Sequence, residues 1–179
     1  MISHIKTVLI VLMASPSCFA QPGHAAAVTP TSASPATTYT PVHQFDPTRD
    51  PAEDIRAAIT EAKRARKRIL LYVGGPWCPF CHQLDDLFQK NPDLTQLRES
   101  HFITLAVHYG TGSIHDQALS SYPHVLGIPH FFVLESDGTL LHSQHVVELR
   151  EDGAYSPSKL KDFFNQWAKP EPIAINKAK

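Results

Sequence analysis

The chain has 179 residues, a formal net charge of −1 and three cysteines. That length fits one ordinary domain with extensions, and the charge gives no footing for nucleic acid or an anionic membrane surface. Three cysteines are too few for a small scaffold held together by several bridges.

Residues 1–20 read as a secretory signal. Lys6 makes the head weakly positive, residues 7–14 form an apolar core too short to span a bilayer, and Cys18-Phe19-Ala20 ends on a small residue. Lipidation at Cys18 is the alternative, but Ser15-Pro16-Ser17 lacks the leucine of such sites. Cleavage after Ala20 removes Lys6 and Cys18, so the mature chain keeps Cys78 and Cys81 alone, with no leftover thiol. Residues 21–41 are mostly Ala, Pro, Thr and Ser, with almost nothing large enough to bury, and such a segment cannot offset the entropy of ordering. A disordered linker is therefore expected over residues 21–45, one domain over 46–169 and a flexible tail over 170–179.

The domain opens with a helix. Asp50 caps it, Pro51 suits its first position, and Glu53 completes a capping-box-like start. Ile55, Ala58, Ile59 and Ala62 then share a face, and the basic run over residues 63–68 is read as a solvated helix end. Ile69-Leu70-Leu71-Tyr72-Val73 is apolar on consecutive positions, as in a strand covered on both faces. Leu84, Leu87 and Phe88 place a second helix against the sheet, and Asn91-Pro92 stops it and caps a short third one. Residues 102–107 form the next strand, and a loop over 110–112 leads to a helix near 115–122. Phe131-Phe132-Val133-Leu134, the turn Ser136-Asp137-Gly138 and Leu140-Leu141 read as a hairpin. Ser156-Pro157 starts the last helix, with Leu160, Phe163, Phe164 and Trp167 on one stripe. This order predicts a three-layer α/β domain with a mixed sheet.

The chemistry sits in Trp77-Cys78-Pro79-Phe80-Cys81, directly after the first strand. Two cysteines at this spacing can cycle between dithiol and disulfide without the backbone travelling. Cys78 falls at a helix N-terminus, where unsatisfied N–H groups and the helix dipole favour the thiolate that attacks disulfides. Cys81, one turn further in, is placed to resolve the mixed disulfide.

Strand, Trp-Cys-x-x-Cys and helix, followed downstream by Gly127-Ile128-Pro129 opening a hairpin, resemble the thioredoxin superfamily and its small secreted bacterial members. The resemblance covers about residues 50–167. It implies a thioredoxin-like fold, a central mixed sheet flanked by helices, and a periplasmic thiol–disulfide oxidoreductase. Cys78 would be the nucleophile and Cys81 the resolving thiol. Pro129 would be cis, Ile128 would offer its backbone to substrate, and Trp77 would form the rim. The implied partners are protein thiols and disulfides together with a redox partner. No cofactor is implied, since the electrons reside in the cysteine pair, and a monomer without a membrane span is expected. Pro79-Phe80 between the cysteines is similar to members less reducing than thioredoxin, on a scale of about −270 to −120 mV.

Two positions depart from that pattern. Many members carry a buried acid on the strand six residues before the first cysteine, where this chain has Tyr72. The resemblance makes that acid the shuttle of a proton to the second cysteine, a part left here to water or a histidine, and without a carboxylate on the strand nothing nearby is expected to raise the attacking thiol's pKa by like-charge repulsion. After the cis proline, where threonine is common, stands His130, whose cation would stabilise a Cys78 thiolate.

Three rivals follow from the same residues. Cys78-Pro79-Phe80-Cys81-His82 matches a c-type haem attachment motif, but Met1 and Met13 leave with the signal and take the commonest partner ligand with them. A metal site could draw on Cys78, Cys81 and one or two of His82, His124 and His130, although metallochaperones of this type space their cysteines by three; the reading assigns no metal. A non-catalytic binding module would leave the exposed Trp77 beside the thiols without a purpose.

Overall fold

The structure, a computed structural model, describes residues 39–110 and 114–168. The expected signal, the linker as far as residue 38 and the tail lie outside the described residues, as does most of the 110–112 loop.

A sheet ordered β2-β1-β3-β4 forms the middle layer, from β1 (Arg68–Gly74), β2 (Phe102–His108), β3 (His130–Leu134) and β4 (Leu140–His145). β1 runs parallel to β2 and antiparallel to β3, and β3–β4 is the expected hairpin. The pleat divides the consecutive apolar residues of β1 between two cores. Leu70 and Tyr72 join Phe131 and Val133 beneath α2 (Pro79–Lys90), α3 (Pro92–His101) and α5 (Pro157–Trp167). Ile69, Leu71 and Val73 join Phe132 and Leu134 beneath α1 (Pro51–Ala65) and α4 (Ile114–Leu119). This is the expected three-layer architecture, a mixed sheet flanked by helices.

Local chemistry sets most boundaries as expected. Asp50 accepts from the N–H groups of Ala52 and Glu53 at 2.8 and 3.3 Å, and Ser156 caps α5. Asn91 behaves differently: its side chain makes no cap on α3 but donates to the Leu87 carbonyl at 2.7 Å, closing α2 instead. A short hairpin of β5 (Arg150–Glu151) and β6 (Ala154–Tyr155), preceded by a 3-10 turn over Val146–Leu149, was not expected.

The linker boundary needs correction. Residues 39–45 lie on the domain: Val42 bridges Leu105 in parallel, and the Ala106 N–H donates to the Val42 carbonyl at 2.8 Å. Phe45 meets Tyr72 edge-on at 4.8 Å between ring centroids. One bridged residue among polar neighbours leaves no strand periodicity to read.

Candidate active site

β1 ends at Gly74, and the turn that follows delivers Cys78 as the N-cap of α2, in extended backbone conformation with φ −90° and ψ 109°. The Cys78 carbonyl accepts from the N–H groups of Cys81 and His82 at 3.1 and 3.2 Å. Its Sγ accepts from the Cys81 N–H at 3.2 Å, so the sulfur itself occupies the capping position. Pro79 has no N–H to leave unsatisfied at the first helical position. Both cysteines are free thiols. Cys78 is 2% exposed and Cys81 fully enclosed, so attack from outside reaches Cys78 first.

Gly74 makes that enclosure possible. A Cβ there would lie 2.7 Å from Cys81 Sγ and 2.7 Å from the Phe45 ring. Burial, then the hydrogen bond with Cys78, raises the Cys81 thiol well above its ordinary value, while the Gly75 backbone and the Tyr72 hydroxyl pull the other way. Cys81 is therefore a thiol at rest.

The Ile128–Pro129 bond is cis. Val73 pairs with His130, which sets the proline beside the last residues of β1, at the sheet end where α2 begins. Pro129 is buried, its carbonyl accepting from the Val146 N–H at 3.2 Å, and Ile128 is half-buried. The three exposed large apolar side chains among the described residues are Trp77 at 60%, Phe80 at 40% and Leu126 at 87%. All three belong to the cysteine turn or to the loop leading into the proline. The Arg150 guanidinium stacks 4.6 Å over Phe80, so the β5–β6 hairpin braces the residue between the cysteines.

Two expectations about modulating residues fail. His130 does not face the cysteines. Alternation along β3 turns it onto the face of Phe132, whose ring lies 4.6 Å away, whereas the cysteines pack with Phe131 on the other face. Burial, then the neighbouring His145 and His142, lowers its pKa to about 4, so no cation is available there near neutrality. Tyr72 does not leave the pair without a carboxylate, because α2 supplies one. Asp85, half-buried one turn after Cys81, lines one cleft together with Tyr72, whose hydroxyl donates to the Cys81 carbonyl at 3.2 Å. A carboxylate four residues past a cysteine on the same helix face was the available signal.

His82, which haem ligation would need, donates from Nε2 to the Pro76 carbonyl at 2.8 Å. Among the described residues no three His, Cys, Asp or Glu side chains converge as a metal would require, His124 being exposed and His130 on the far face.

Known proteins agree with this architecture. A family model described as thioredoxin-like matches residues 50–136. A disulphide isomerase from Xylella fastidiosa Temecula1 is 29% identical at a TM-score of 0.57, over 68% of this chain and 93% of its own. The C-terminal domain of Neisseria meningitidis DsbD in its oxidised form aligns at 20% identity and a TM-score of 0.53, over 69% of this chain and 98% of its own. No curated protein matches the chain. A cysteine-capped helix on this sheet, a cis proline at the same sheet end and these likenesses agree: the chain carries a thioredoxin-like domain and is a thiol–disulfide oxidoreductase.

Proposed function

We propose that the chain is exported to the periplasm and exchanges disulfides with protein substrates through Cys78 and Cys81. In the reducing direction the Cys78 thiolate attacks a substrate disulfide, forming a mixed disulfide and expelling one substrate sulfur as thiolate. Cys81 gives up its proton and attacks Cys78 Sγ, breaking the mixed bond and releasing the second substrate thiolate. Two electrons pass from the cysteine pair to the substrate, and the reverse sequence oxidises a substrate dithiol. Trp77 and the Ile128–Pro129 edge take the substrate chain.

The observation carrying this reading is the asymmetry of the pair: Cys78 is the N-cap of α2, its Sγ accepting from the Cys81 N–H at 3.2 Å, while Cys81 lies inside the helix and is fully enclosed. The Xylella neighbour's name, disulphide isomerase, supports the reaction class, and the apolar residues 7–14 support export. Trapping tests the roles. Cys81→Ser is expected to accumulate mixed disulfides with a reducible protein such as insulin, and Cys78→Ser to accumulate none. Equal trapping by both variants would overturn the assignment.

A further inference from the structure

The β5–β6 hairpin brings a cation to the cysteine turn. Arg150 is half-buried, and its guanidinium lies over two aromatic rings, Phe80 at 4.6 Å and Tyr155 at 5.4 Å. Phe80 stands between the two cysteines in the first turn of α2, and Tyr155 packs in the same core as Cys78 and Cys81. The guanidinium also donates to the Gly153 carbonyl, and the Lys159 ammonium donates to the Arg150 carbonyl at 2.9 Å. The hairpin therefore holds this charge in one place.

Among the described residues no carboxylate pairs with it. Glu148 accepts from the Gln144 amide at 2.8 Å, and Glu151, the next residue of β5, is exposed and alternates to the other face of the hairpin. Arg150 Nε and the Tyr155 hydroxyl are both buried donors without a hydrogen-bond partner. This corner has donors in surplus and lacks an acceptor. The placement also runs against helix electrostatics, since the start of α2 is the positive end of its dipole, where an anion is favoured and a cation is not. The two aromatic faces offset part of that cost.

Resting on the proposed role of Cys78, we propose that Arg150 is a specificity-determining residue, which selects protein segments that carry a carboxylate beside the disulfide. Half-buried rather than enclosed, it remains open to solvent next to Phe80, at the edge of the exposed apolar surface that includes Trp77. A Glu or Asp side chain of the substrate accepts from the guanidinium while Cys78 attacks the neighbouring sulfur. That carboxylate supplies the acceptor the corner lacks and relieves the cation at the helix start. A lysine in the same place meets like charge. Trp77 and Phe80 give apolar contact that any unfolded chain can make, and Arg150 chooses among such chains. It forms no bond to sulfur, so the exchange chemistry is unchanged.

The test compares two disulfide-linked peptides of otherwise one sequence, their cysteines flanked by Glu in the first and by Lys in the second. Reduced native protein is expected to reduce the Glu peptide faster. Arg150→Gln should lower the ratio of the two rates at least about threefold, the scale of one ion pair open to solvent. The change in that ratio cancels the intrinsic reactivity of each peptide and any general damage to the cysteine turn. Arg150→Lys keeps the charge without the flat, stacked fork and should retain part of the preference. Salt gives a second reading that needs no variant: between about 0.02 and 0.5 M sodium chloride the native ratio should shrink as screening shortens the reach of the charge. A ratio unchanged by Arg150→Gln, or indifferent to salt in the native protein, would overturn the selection. A native protein that reduces neither peptide would overturn the cysteine roles themselves, and the selection with them.

Discussion

Burial decides what His130 contributes, and it is not the activation of a thiol. The unfolded chain would titrate this imidazole near 6.5, the folded one at about 4. Between those values the unfolded state holds a proton that the native state does not, so stability rises with pH and is lost as pH falls through this window. His130→Gln is expected to flatten the pH dependence of the denaturation midpoint between about pH 6.5 and 4, and to leave the alkylation rate of Cys78 by iodoacetamide unchanged. A variant as acid-sensitive as the native protein, or a slowed alkylation, would return a role to His130. The residue itself was conspicuous in the sequence. Its face was not, because one position along β3 moves a side chain from one core to the other. Cys78 was legible for the opposite reason: a helix N-terminus is a local property, readable from Pro79 and the apolar periodicity alone.

The elements were legible in proportion to their length and periodicity. α1, β1, β3, β4 and α5 stand where their patterns put them, since amphipathic helices and buried strands repeat the same signal several times over. The segment over residues 39–45 carries one bridge and one aromatic contact, too little to repeat. Its importance is therefore argued from packing. Phe45 lies against Tyr72 and above Gly74, closing the chamber around Cys81. Phe45→Ala is expected to cost about 1–3 kcal/mol, below the figure for a wholly buried phenylalanine because the ring is half-buried. Removing residues 21–38, poor in anything to bury, should leave the melting temperature within error. Thermal melts of the two variants check both, and equal melting temperatures would mean that the Phe45 contact contributes nothing.

At the scale of the molecule, reactive sulfur and exposed apolar surface come together at one sheet end. Trp77 and Phe80 flank Cys78 in sequence, and Leu126 precedes the cis proline. Trp77 was legible as an aromatic beside the thiols; Leu126 was not, because only the fold brings its loop to the end of β1. Side chains that capture an unfolded substrate should matter less to a small disulfide. Trp77→Ala combined with Leu126→Ala is expected to slow insulin reduction several-fold and to leave reaction with 5,5′-dithiobis(2-nitrobenzoate) near the native rate. A parallel loss of both would point to damage at the cysteines. The short bridge at Val42 also bears on how copies of the protein meet one another. It occupies the outward amide of Ala106, on a strand whose other side already belongs to β1. Without that cover, the apolar row of β2 would present a bare edge of the kind that recruits another chain. A form cut back past residue 45 would then betray itself first by sticking to its own kind, as particles growing with concentration in light scattering, at temperatures where the domain is still folded.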